Sequence, residues 1–359
     1  MRTLEIRRFA LALAFAAVAA SAAPPVATSA EPAGAISPAQ VTTVVAAAVK
    51  ALGGYIFPDV GARASARLRA RLPDYRKLTD PTALAAAMNA DLAEITHDKH
   101  VRVSYPNEAP DESSGPPSAA EVRAQHLQEL AQNEGFRTVR RYAGNVGYLD
   151  FRGFSSDESV GATIAAAMGF IANTDALIID LRKNGGGDPT AAETLEAYLF
   201  PSQQQITSLM WRGADGKVSE IQQYTDAHVS GQLYLDKPVY LLTSSRTFSC
   251  AEQFAYDLQN LKRVTIVGQT TGGGANPGGF NWLGEGFNMF VPLGRAYSNV
   301  TKTNWEGVGV KPDVATTAED ALLAAYTLAV KSVQSHPHER HLDPQLALVL
   351  KDPSKALTP

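Results

Sequence analysis

Ile178-Ile179-Asp180-Leu181-Arg182-Lys183-Asn184-Gly185-Gly186-Gly187 is an apolar β-type run that passes directly into three glycines. Glycine admits backbone conformations and close approaches that side chains forbid, so such a loop can aim amide N–H groups at a ligand. A phosphate cradle would continue into Gly-Lys-Ser/Thr, which is missing here. A plain tight turn is the alternative reading. On both sides of this stretch, β-rich runs at 146–151, 176–181, 239–242, 264–267 and 289–291 alternate with helical stretches at 160–171, 191–199 and 250–261. That alternation predicts an α/β domain in which helices cover a sheet.

Upstream, apolar residues recur three and four apart (Val44, Val45, Val49, Leu52; Leu84, Met88, Leu92, Ile95), interrupted by Gly53-Gly54, Pro58 and Pro73. This predicts a small helical N-terminal domain over 38–105. Three prolines among acidic and serine residues over 107–117 mark 106–118 as a linker. The larger domain then runs over 119–334, opening with a polar helix. A polar tail over 335–359 carries His336, His338 and His341 and one late apolar run at 346–350; no internal repeat is present.

At the start, Arg2, Arg7 and Arg8 precede an apolar run over 9–20, and Ala20-Ser21-Ala22 ends it in a small-x-small pattern. This predicts a bacterial export signal over 1–22 and a periplasmic or secreted protein, with a Pro/Ala/Ser-rich flexible lead-in over 23–37. No later stretch approaches the roughly 18 apolar residues of a spanning helix. With 45% hydrophobic and 19% charged residues the chain suits a large buried core rather than disorder. Loss of the signal takes the net charge from −4 to −6. No basic block remains to follow a phosphate backbone, so nucleic acid is not an expected partner. Cys250 is the sole cysteine, which excludes an internal disulfide.

Thr243 to Glu252 reads as the end of a strand, a polar loop and the start of a helix whose apolar face is Phe254, Ala255, Leu258 and Leu261. Ser249 and Glu252 fit a capping box. The functional alternative is that the helix start, with unpaired N–H groups, stabilises an oxyanion formed when Ser249 attacks a carbonyl. A second glycine loop, Thr270-Thr271-Gly272-Gly273-Gly274-Ala275-Asn276-Pro277, follows the 264–267 run. Glu306 lies beside Trp305 and between glycine-rich turns; a surface charge is its plain reading. His97 and His100 flank Asp98-Lys99, but no third ligand lies near in sequence and neither His-Glu-x-x-His nor a cysteine pair exists. No metal or other cofactor is therefore expected.

Together, Asp98-Lys99-His100, Gly144-Asn145-Val146-Gly147-Tyr148-Leu149, Asp180 through Gly187, Thr243 through Glu252, Gly268 through Ala275 and Trp305 through Asp313 resemble the S41 serine peptidases. This is the C-terminal-processing or tail-specific protease superfamily. The likeness is to its branch similar to the repeats of interphotoreceptor retinoid-binding protein, and it runs from about Val41 to Lys331. The resemblance implies a ClpP/crotonase-like catalytic domain of ββα units with the helical domain packed against it. By the same resemblance Ser249 matches the nucleophile, the N–H of Cys250 and one from Gly185 or Gly186 match the oxyanion hole, and His100 and Glu306 match base and carboxylate. A serine nucleophile needs a base within reach and the base benefits from an orienting partner, so the chemistry agrees.

Two departures stand out. The processing-protease branch places a lysine in the loop about 25 residues after its serine, whereas Gly272-Gly273-Gly274 has none. That branch also carries a PDZ domain, and residues 106–145 number only 40, too few for one. The resulting expectation is an exported serine peptidase acting on peptides or proteins, with His100 as base, activity rising through about pH 6 to 7, and Lys99, Lys183 or Lys302 as substitute bases. A non-catalytic carrier of apolar ligands on the same scaffold is the alternative.

Overall fold

The computed structural model describes residues 34–107, 119–335 and 345–357. The expected export signal, most of the lead-in, most of the linker and the histidines of the tail lie outside the described residues. The helices are α1 (Pro38–Leu52), α2 (Pro58–Tyr75), α3 (Pro81–Thr96), α4 (Ala119–Ala131), α5 (Val160–Ile171), α6 (Pro189–Ala197), α7 (Cys250–Asn260), α8 (Ala321–Ser335) and α9 (Leu346–Lys351). The strands are β1 (Arg102–Ser104), β2 (Phe136–Tyr142), β3 (Val146–Phe151), β4 (Ala176–Asp180), β5 (Gln205–Arg212), β6 (Val218–Tyr224), β7 (Val239–Thr243), β8 (Thr265–Gly268), β9 (Gly278–Gly284), β10 (Phe287–Pro292), β11 (Gly294–Tyr297) and β12 (Val314–Ala315).

A six-stranded sheet in the order β12-β8-β7-β4-β3-β2 is parallel except for β2. Strands β3, β4 and β7 are buried along their whole length, which is why they read as unbroken apolar runs rather than alternating ones. Leu149, Ile179 and Leu241 face α5 and α7 in one core, while Tyr148, Ile178 and Leu242 face α8 in another. The late apolar run forms α9, whose Val349 is buried in that second core. No helix of the described residues is long and apolar enough to cross a membrane.

Each of α1, α2 and α3 starts at a proline, with Ser37 and Asp80 capping the first and third; the fixed φ of proline suits that position. Their core does not close on itself. Val41, Leu52, Leu84 and Leu92 pack with Leu283, Phe287, Met289 and Val291 from β9 and β10, and β1 pairs with β10 in a separate antiparallel sheet. The helical unit thus takes one wall from sequence 191 to 250 positions away, and this fixes the β1 segment against the larger domain.

Helices α6 and α7 bury Glu196 and Asp257 side by side with Glu193. Neither oxygen of Glu196 has a hydrogen-bond partner among the described residues, nor has Oδ2 of Asp257, whose Oδ1 accepts from the Thr207 hydroxyl at 2.7 Å. Burial, then repulsion from Asp257 and Glu193, holds Glu196 well above the usual carboxylate range, and burial pushes Asp257 up to about 7. The native state keeps protons that the unfolded chain releases above about pH 4, so these groups make stability fall as pH rises from about 4 through 7. Glu196→Gln is expected to raise stability at pH 8 by about 1–3 kcal/mol with little change at pH 4. Denaturant midpoints at the two pH values test this, and an unchanged or lower midpoint at pH 8 would refute it.

Candidate active site

β7 ends in a polar loop that turns the chain into α7, and Ser249 occupies the turn at φ 55° and ψ −124°. A left-handed φ on a residue with a side chain costs about 1–3 kcal/mol and persists only where the surroundings enforce it. Here they do. The Thr247 hydroxyl donates to the Leu181 carbonyl at 2.8 Å and accepts from the Ser244 N–H at 3.0 Å, while the Phe248 N–H donates to the Asn184 carbonyl at 3.1 Å. The turn therefore leans on the first glycine loop and presents the Ser249 hydroxyl outward from the strand end, the arrangement of a nucleophile elbow.

The Ser-x-x-Glu pattern holds more than a helix cap. Glu252 is fully buried, and its carboxylate accepts from the Ser249 N–H at 3.0 Å, the Gly273 N–H at 2.6 Å, the Gly274 N–H at 2.7 Å and the Thr271 hydroxyl. One side chain thus ties the elbow to the second glycine loop. Burial raises its pKa while these donors oppose the rise. The capping pattern was the available signal; its reach to residue 274 was not legible in it.

His100 lies just before β1, on the segment that the β1–β10 pairing fixes. Its Nε2 is 3.2 Å from Ser249 Oγ. The ring sits between Phe248 and Phe290, with centroids 4.6 and 5.5 Å away. A Cβ on Gly274 would fall 2.7 Å from the His100 Cε1 and closer still to the Phe248 ring, so only glycine lets the loop pass. Burial pushes the imidazole pKa down to about 4, opposed by the charge of Asp98.

Glu306 arrives on a turn zipped to the second glycine loop: Trp305 Nε1 donates to the Gly274 carbonyl at 2.7 Å, and the Gly307 N–H donates to the Gly273 carbonyl at 3.0 Å. One Glu306 oxygen accepts from the Ala275 N–H at 2.6 Å. The other, Oε1, is buried and unpartnered among the described residues, as is His100 Nδ1. Burial, then the charge of Asp98, pushes Glu306 up to about 7. Asp98, His100 and Glu306 each bring one ligand-type atom within 4.8 Å of the others. This grouping could offer a cation three ligands, and the third one absent near His97 and His100 in sequence comes from 206 positions away.

Of the expected oxyanion donors, the Cys250 and Gly185 N–H groups have no acceptor among the described residues. The Gly186 N–H donates to Asn184 Oδ1 at 2.9 Å, so of the two alternatives Gly185 is the one whose N–H has no acceptor among the described residues. Gly186 contributes by close approach instead, since a Cβ there would lie 2.9 Å from Ser249 Cβ, the Cys250 nitrogen and the Phe248 carbonyl oxygen. Of the lysines, Lys99 donates to the Gly272 carbonyl, and Lys183 and Lys302 are exposed.

The family model for peptidase family S41 matches residues 145–316, and that for the N-terminal domain of Peptidase_S41 in eukaryotic IRBP matches 37–140. A carboxy-terminal-processing protease of Bartonella bacilliformis is 27% identical over 252 residues, 65% of this chain and 55% of that protein. The chain thus spans about half the length of that curated relative. Among solved structures, a candidate peptidase from Parabacteroides merdae matches with TM-score 0.54 at 19% identity, covering 82% of this chain and 97% of its own. A lipoprotein from Streptococcus agalactiae matches with TM-score 0.50 at 16% identity over 82% and 96%. At these identities the two structures speak to the fold.

Proposed function

The chain belongs to peptidase family S41, and from that premise we propose that it is an exported serine peptidase that cleaves peptide bonds through an acyl-enzyme on Ser249. The observation that carries the reading is the 3.2 Å approach of His100 Nε2 to Ser249 Oγ, made across 149 positions of sequence. Ser249 Oγ attacks the scissile carbonyl carbon and its proton passes to Nε2. The carbonyl oxygen gathers negative charge that the Cys250 and Gly185 N–H groups receive. His100 then returns the proton to the leaving amine, and water, deprotonated by the same nitrogen, hydrolyses the ester. Glu306, with a carboxylate oxygen within 4.8 Å of an imidazole nitrogen, favours the imidazolium once ionised. The relative's name points to the C-terminal region of a protein as substrate.

A fluorophosphonate probe on purified protein tests the reading. The wild type is expected to label and Ser249→Ala to remain unlabelled. If intact wild type stays unlabelled while retinoids or fatty acids bind it tightly, the carrier reading replaces this one.

A further inference from the structure

Asp98 is a buried carboxylate, 4% exposed, that no part of the mechanism above uses as a reacting group. Three regions of the chain converge on it. Its Oδ1 accepts from the His100 main-chain N–H at 2.9 Å and lies 3.9 Å from His100 Nδ1. Its Oδ2 accepts from the Tyr55 hydroxyl at 3.0 Å, after α1, and from Asn276 Nδ2 at 2.9 Å, in the second glycine loop. All these donors are neutral. Among the described residues the only ion-pair partner within 4 Å of Asp98 is His100, which is charged only when protonated.

A buried carboxylate without a cation is costly, and here the cation is created by the reaction itself. We infer that Asp98 is the positioning residue of the base: with Tyr55 and Asn276 it locks His100 in line with Ser249, and its charge finds its counter-ion in the imidazolium formed as Ser249 loses its proton. An interaction made in the transition state and absent from the ground state accelerates the chemical step. The same contacts make docking of the helical unit a condition for having a base at all, because Tyr55 belongs to that unit and Asn276 to the larger domain. This inference rests on the Ser249–His100 reading.

The charged and titratable groups that face this cluster are His100 and Lys99 beside it in sequence, Tyr55 from the helical unit, Glu306 from its turn and Glu252 from α7. In Asp98→Asn the acceptor for the His100 N–H survives and the charge does not. Turnover is expected to fall about 10- to 100-fold with KM within about twofold. Removing a negative charge beside Glu306 also eases its ionisation, so the pH–rate step that belongs to Glu306 should move to lower pH. A purely structural role would lower activity without moving that step. Tyr55→Phe, which keeps the ring and removes one donor, should lower kcat about 3- to 10-fold with KM unchanged.

Folded Asp98→Asn with turnover within threefold of wild type, or with reduced turnover and an unmoved step, overturns the inference. Should Asp98→Asn fail to fold, wild-type kcat in folded Tyr55→Phe overturns it. Ser249→Ala and His100→Ala measured alongside separate the two levels. If either keeps wild-type turnover the serine-peptidase reading itself falls; if both are inactive and Asp98→Asn is not impaired, only the positioning role does.

Discussion

His100→Ala is expected to lower kcat by about 1,000-fold or more, and the double variant Ser249→Ala/His100→Ala to be no worse than either single one. Nucleophile and base act as a unit, so removing one leaves the other with nothing to do. The pH profile supplies the mechanistic detail. From sequence alone, an ordinary histidine places the rise at about pH 6 to 7. In the folded protein, burial between Phe248 and Phe290 pushes His100 down to about 4, and burial beside Asp98 pushes Glu306 up to about 7. Glu306 and the imidazole share one buried cluster, so the two steps of the profile are macroscopic ones, the upper governed mainly by Glu306. A first rise in kcat/KM near pH 4 to 5, as the imidazole becomes able to accept a proton, followed by a second near pH 7, as Glu306 ionises and favours the imidazolium, is the expected shape. Glu306→Gln should remove the second rise and keep the first. Activity that rises only above about pH 8, or near-wild-type turnover in His100→Ala, would move the base to a lysine, with Lys99 on the Gly272 carbonyl the nearest to the second glycine loop.

Gly186→Val should reduce kcat about 100- to 1,000-fold, for a reason that differs from the simple loss of an amide. The Gly186 N–H is already held by Asn184. What valine cannot reproduce is the approach: at φ 106° the position disfavours any side chain, and the new Cβ would stand 2.9 Å from backbone and Cβ atoms of the elbow itself. Backbone cannot yield as a flexible side chain can, so Ser249 and the Cys250 N–H must shift together. Displacement of an oxyanion donor is worth the quoted factor, and the strained φ removes about 1–3 kcal/mol of stability besides. Single-turnover rates on folded protein, with circular dichroism to establish folding, decide the matter. A folded variant with more than a tenth of wild-type turnover would place the elbow's support elsewhere, and an unfolded one would make Gly186 a turn residue first.

Much of the fold was legible because burial on both faces writes itself as apolar runs. Val146–Phe151 and Val160–Ile171 begin and end where the sequence pattern puts them. Strands β2 and β12, at the two edges of the main sheet, escaped notice, as did β5, β6, β9 and β11. The last four lie in small antiparallel sheets in which exposed positions, such as Val218 and Phe280, interrupt the pattern. Helix α8 escaped too, although it packs on β3, β4, β7 and β8 across one face of the main sheet. Its partners lie far upstream, and nothing local announces them.

The sequence by itself determined the α/β architecture, the likeness to peptidase family S41 and the candidate residues for the site, because strand runs, glycine loops and the Ser-x-x-Glu turn are local patterns with local physical causes. The tertiary structure alone decided how those residues meet. His100 and Ser249 are 149 positions apart and come within 3.2 Å only because β1 joins β10 and the helical core borrows β9 and β10. The same folding made Glu252 a staple between two loops as well as a helix cap, committed the Gly186 N–H to Asn184, and set Asp98 against His100. Hydrogen bonds and burial between distant segments depend on where the chain returns in space, and no spacing in the sequence encodes those distances.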